Sequence, residues 1–194
     1  MSRKYELKQR ARSQAETRRR IVEATIKLHD ELGPARTTIS AIAERAGVQR
    51  LTVYRHFPDE RSLYAACSGQ WMADHPLPDT SPWALVEDPV ERLLLALSEI
   101  YAYFRATENM TANVRRDLPE LPVMQEVAAP VTQYWEAAQA MLELGWEARG
   151  RRRERLRAVI GHAIDFETWR SLARQRNLSD GEVVELMVRL ARAA

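Results

Sequence analysis

A single cysteine, Cys67, stands among 194 residues. That excludes an internal disulfide and a cysteine-built zinc site, and it fits a reducing cytoplasm. The four histidines, at 29, 56, 75 and 162, share no metal-ligand spacing, so no metal is expected. No apolar run approaches the ~18 residues of a membrane span. The opening MSRKYELKQRARSQ lacks the apolar segment of a signal peptide. Strand signals are missing as well. No clean apolar/polar alternation runs over a strand's length, and Asp180-Gly181 lies in a helix-start pattern, not a hairpin. There is no Ser/His/Asp set, nucleophile elbow or glycine-rich phosphate loop. A helical-bundle enzyme therefore has no catalytic constellation to work with, and neither an enzyme nor a cofactor is expected.

What remains is 45% hydrophobic and 29% charged, the composition of a globular chain. The net charge is only +2, but it is unevenly distributed. Residues 1–57 carry 13 Lys/Arg against 6 Asp/Glu, and residues 58–194 carry 16 against 21. A basic first third on an acidic remainder points to a polyanion at one end only. Arginine outnumbers lysine 26 to 3, which serves phosphate recognition or reflects a GC-rich genome. Arg151, Arg152, Arg153, Arg155 and Arg157 lie in the acidic part and read as solvated or ion-paired surface.

Apolar residues at helical spacing, broken by Pro and Gly, predict an all-α chain of about nine helices. The first spans 14–32, opened by a Ser13/Glu16 capping box and stopped by Gly33-Pro34. Further helices are predicted over 39–46, 49–56, 60–74, 89–106, 109–116, 123–144, 151–176 and 180–192. The proline-rich 74–83 is the linker candidate, and Ser179/Glu182 a second capping box. The expected organisation is a basic arm over 1–12, a first helical domain over 13–74 and a larger helical domain over 75–194.

Function is carried by residues 17–64. Ile39, Ile42 and Ala43 face inward on one helix, Gly47 permits a positive-φ turn, and Val53 and Phe57 face inward on the next. Gln49, Arg50, Thr52, Tyr54, Arg55 and His56 are left outward on a helix narrow enough for the major groove. Thr38, Ile42-Ala43, Ala46-Gly47-Val48, Thr52-Val53-Tyr54, His56-Phe57-Pro58 and Leu63 resemble the DNA-binding domain of the TetR family of bacterial transcriptional regulators. They cover about a quarter of the chain. The resemblance implies a helix-turn-helix domain joined to a larger helical domain, in a cytoplasmic bacterial protein. It implies that Tyr54, His56 and Thr38 sit on phosphates, while Gln49, Arg50, Thr52 and Arg55 reach bases. Glu60 departs from a common phosphate-binding lysine, so Arg61 is expected to substitute. Leu51 replaces a residue that is often small, and either touches a thymine methyl or shields the helix.

In the second half, Leu97, Tyr101, Phe104, Met110, Tyr134, Trp135, Met141, His162, Asp165, Phe166 and Trp169 read either as core or as the lining of a mostly apolar cavity. His162 and Asp165, one turn apart, are the orienting polar pair or a structural one. Apolar residues on the final helix exceed what one packing face needs. A dimer is therefore expected through the last two predicted helices, at Ile160, Ala163, Ala173, Val184, Met187, Val188 and Ala191. The resulting expectation is a repressor that binds a near-palindromic double-stranded operator as a homodimer and is released by a small, largely apolar effector, away from any membrane. The rival is a ligand-independent helical DNA-binding or interaction protein with a filled C-terminal core.

Overall fold

The structure, a computed structural model, describes residues 3–194, with side chains from Tyr5 onward. The described residues are all-helical, as expected, with eleven α-helices. They form two compact units. The first runs to Pro76 and takes in Asn109–Ala129; the second comprises Leu77–Glu108 and Pro130–Ala194.

The first unit is built on α1 (Arg3–Glu31), α2 (Ile39–Ala46), α3 (Arg50–His56) and α4 (Glu60–Asp74). α1 begins eleven residues before its predicted start at 14. The sequence RKYELKQRAR contains only helix-tolerant residues, so nothing breaks the chain before Ser13, and no capping box forms there. Ile21, Ala24 and Leu28 of α1 pack against Ile42, Ala43 and Ala46 of α2, Val53 and Phe57, and Leu63 and Cys67 of α4. Burial pushes the Cys67 thiol up to about 12, so it stays protonated and acts as a small hydrophobe.

α7 (Glu108–Asp117) and the start of α8 (Pro122–Leu142) complete this unit. Side chains of α7 cap the C-terminus of α1, where the last carbonyls of a helix lack partners. The Asn113 amide donates to the carbonyls of His29 (3.2 Å) and Asp30 (2.7 Å), and the Arg116 guanidinium donates to that of Leu32 (2.9 Å). The buried Asp117 carboxylate accepts from Arg116 (2.7 Å) and from the Ala35 amide (3.0 Å). Burial alone would raise its pKa, but Arg116 and the Ala35 N–H hold it below the usual carboxylate range.

His29 is only 3% exposed, its ring lies 5.8 Å from that of Tyr64, and its Nε2 is buried without a hydrogen-bond partner. Burial lowers its pKa from 6.5 to about 4, with the Asp117 charge opposing. Between those two values the unfolded chain binds a proton that the folded chain refuses. Stability is therefore full above the unfolded pKa and lost as pH falls, by about 3 kcal/mol at pH 4. Replacing His29 with Leu is expected to leave stability at pH 7 within about 1 kcal/mol, because Nε2 has no bond to lose. It should also flatten the loss between pH 6.5 and 4, as measured by urea unfolding across that range. Equal acid sensitivity in His29→Leu and the parent would contradict it.

The second unit contains α5 (Ser81–Ala84), α6 (Pro89–Ala106), the later part of α8 (Pro122–Leu142), α9 (Gly150–Ala163), α10 (Phe166–Arg170) and α11 (Asp180–Ala193). α5, unpredicted, lies near the end of the proline-rich stretch and buries Trp83, whose indole N–H donates to Glu99 at 2.8 Å. Asp88 caps α6, and α11 packs on both α6 and α9. The predicted helix over 151–176 is instead broken after Ala163. Asp165 takes an extended conformation and caps α10, which passes into a π turn at Ser171–Gln175. The Ser179/Glu182 capping box forms as predicted. Arg92 is buried and bonds to carbonyls alone, those of Val86, Glu87 and Leu144, tying two loops together. No helix among the described residues is long and apolar enough to cross a membrane.

Candidate nucleic-acid interface

The interface is set by the turn between α2 and α3. Thr38 is extended, and its hydroxyl oxygen accepts the Ala41 amide at 3.1 Å, starting α2. Gly47 adopts a left-handed conformation (φ 64°, ψ 42°), which a side chain would resist. The Val48 amide then donates back to Ala43 (2.9 Å), turning the chain into α3. Gln49 occupies the cap position of α3, yet its side chain makes no capping bond.

Packing then sorts the faces of α3. Val53 and Phe57 are buried, and the Arg18 guanidinium lies 4.2 Å from the centre of the Phe57 ring. Gln49, Arg50, Tyr54 and Arg55 are exposed, with Thr52 and His56 half-buried beside them. Leu51 is 76% exposed, a bare apolar side chain among these polar ones. No acidic residue lies between Glu44 and Asp59. Burial lowers the His56 pKa, and Arg55 and Arg18 depress it further, so its imidazole is mostly neutral at pH 7 and offers an N–H, not a charge.

Other predicted contacts are placed differently. Arg61 is exposed but ion-paired with Glu126 of the same unit. Arg19 of α1 bridges Glu16 at 2.6 Å and also pairs with Glu23. Arg3 and Lys4 of the predicted arm lie outside the described side chains. The arm's residues 5–12 continue α1 with every side chain exposed.

The residues expected at a ligand site divide. Met110 belongs to the first unit; the other ten belong to the second. Tyr101, Phe104, Phe166 and Trp169 are buried and in ring contact. Phe104 meets Phe166 edge-on at 5.3 Å and Trp169 at 6.0 Å. The Tyr101 hydroxyl donates to the Ala163 carbonyl at 2.8 Å, and the Trp169 indole N–H to Asp180 at 2.9 Å. Leu97 is buried too, whereas Tyr134, Trp135 and Met141 are half-buried. The Asp165 amide donates to the His162 carbonyl at 3.2 Å. A His162 ring nitrogen lies 3.0 Å from the Thr168 hydroxyl, and Asp165 accepts the Glu167 amide at 2.8 Å.

The seven residues expected at the dimer seam, Ile160, Ala163, Ala173, Val184, Met187, Val188 and Ala191, are all buried within the single chain. The excess apolar residues on α11 are explained by two neighbours within the chain, α6 and α9. The apolar side chains that α11 leaves outward are Leu186 and Leu190, 38% and 43% exposed.

Residues 21–67 match the family described as "Bacterial regulatory proteins, tetR family". An uncharacterized HTH-type transcriptional regulator of Mycobacterium tuberculosis is 43% identical over 60 residues, 31% of this chain and 32% of its own length. This chain thus matches about a third of that relative's length. Among solved structures, a TetR-like transcriptional regulator from Rhodococcus sp. RHA1 aligns over 91% of this chain and 93% of its own, with TM-score 0.62 and 17% identity. NalD of Pseudomonas aeruginosa, the secondary repressor of the MexAB-OprM multidrug efflux pump, aligns over 93% of this chain and 96% of its own, with TM-score 0.59 and 19% identity. The structural likeness establishes the fold, and the sequence match falls on the helix-turn-helix. Residues 21–67 are thus similar to the DNA-binding part of TetR-family bacterial regulatory proteins, and the fold over most of the chain is that of TetR-like regulators.

Proposed function

We propose that the chain is a cytoplasmic, non-catalytic transcriptional repressor that binds a near-palindromic operator as a homodimer and is released by a small, largely apolar effector. The observation that carries the DNA-reading part is the sorting of α3. Its two apolar anchors are buried, and four polar side chains, Gln49, Arg50, Tyr54 and Arg55, are outward with no acid among them. In this reading Gln49, Arg50, Thr52 and Arg55 meet base edges. Tyr54, His56 and the Thr38 hydroxyl meet phosphates, with Arg61 joining them on release from Glu126. The first unit is the reading head, and the N-terminal extension of α1 adds exposed positive charge to it.

Arg50→Ala and Tyr54→Phe are each expected to weaken operator binding by about 1–3 kcal/mol while leaving thermal unfolding unchanged, since both side chains are outward. Fluorescence anisotropy with a labelled duplex measures it. Unchanged affinity in both variants contradicts the assignment of α3.

For the second unit two readings compete on one feature. The half-buried Tyr134, Trp135 and Met141 are the side chains that an apolar effector would meet. The close ring packing of Phe104, Phe166 and Trp169 favours the alternative, a filled core that needs no effector. Quenching of the five tryptophans by a panel of apolar compounds separates them. Saturable quenching that weakens with Trp135→Phe supports an effector, and no saturable quenching supports the filled core.

A further inference from the structure

We propose that Leu51 reads a thymine methyl group, giving this regulator a requirement for thymine at one position of each half-site. The inference rests on α3 being the DNA-reading helix. It concerns the one aliphatic side chain exposed on that helix's outer face.

Leu51 is 76% exposed, although the core beneath α3 is already closed by Val53 and Phe57. Its exposure therefore serves nothing within the described fold. Leu51 lies one helical turn from Tyr54 and Arg55, on the face they share. The exposed surroundings, Gln49, Arg50, Tyr54 and Arg55, are polar or cationic, and they complement a polyanion better than an apolar protein face. Leucine has no donor and no acceptor. Among major-groove base edges, the one apolar feature is the C5-methyl of thymine. Against a purine the same side chain would cover N7 without a hydrogen bond, and against cytosine it would lose the methyl contact. Leu51 thus favours one base by attraction and disfavours three by leaving them under-bonded.

The test uses the full chain and duplexes that it enriches from a random-sequence library. Each thymine of an enriched duplex is replaced singly by deoxyuridine, which lacks only the methyl, and affinity is read by anisotropy. At one thymine per half-site the parent chain is expected to bind about fourfold more weakly, the worth of one buried methyl group. Leu51→Ala is expected to bind the thymine duplex about fourfold more weakly as well, and to be indifferent to uridine at that position. Its thermal unfolding should match the parent's, because the side chain touches no core. A parent chain indifferent to uridine at every position overturns the proposal, as does a Leu51→Ala variant that keeps the parent's sensitivity. A chain that enriches no duplex overturns the DNA-reading assignment itself, and the proposal with it.

Discussion

Gly33→Ala is expected to destabilise the first unit by about 3–5 kcal/mol, the largest loss foreseen for a single methyl group in this chain. Two independent costs combine. Gly33 has φ 94° and ψ 158°, a region that L-residues rarely enter. A Cβ there would also overlap the Arg116 guanidinium and the Asp117 carboxylate. Those two groups cannot simply step aside. Arg116 caps the Leu32 carbonyl at 2.9 Å, and Asp117 holds the Ala35 amide at 3.0 Å. Moving either leaves a buried carboxylate or a helix end without its partner. Urea unfolding measures the loss. Asp117→Ala in the same background should show coupling, the double variant losing less than the two single losses combined. Strict additivity would mean that the backbone conformation alone carries the cost.

The second large effect concerns assembly. Leu186→Asp combined with Leu190→Asp is expected to yield a folded monomer whose affinity for a two-half-site operator falls by about a hundredfold or more, since the linked second head is lost. The motive is their position, one turn apart and outward on α11, 38% and 43% exposed. Because neither belongs to the core, the charges should cost little in the isolated chain. At a dimer seam they would be buried without partners. Light scattering after size exclusion gives the mass, and circular dichroism confirms the fold. A variant that stays dimeric and binds as before places the seam elsewhere. Val184→Asp or Met187→Asp would test something different, because both side chains are core and the chain would unfold.

The contrast between those two pairs shows where the sequence stops being readable. The helix-turn-helix is legible because each step has a local cause: the Thr38 cap, the left-handed Gly47, and Val53 and Phe57 on one face of α3. The Ser179/Glu182 box is local too. The start of α1 is not legible, because a capping pair marks a start only if the preceding residues resist helix, and RKYELKQRAR does not. The break after Ala163 carries no Pro or Gly. Its one signal is Asp165, a capping residue type that reads equally well as a partner for His162. Which helices flank α11 is a tertiary fact, so Val184 and Met187 look like an interface in sequence and are core in the fold. The same holds for Asn113, Arg116 and Asp117. As sequence they are a charged, solvated stretch, whereas in the fold they cap α1 and bury a carboxylate beside Gly33.

The proposed function rests first on sequence-specific DNA reading by α3. Enrichment of random duplexes by the full chain tests it most directly. The expected result is a recovered motif in two inverted halves, their centres one helical turn or a multiple of it apart, and loss of that enrichment in Arg50→Ala. Recovery of no motif, with only weak, salt-sensitive binding equal for all sequences, would contradict it.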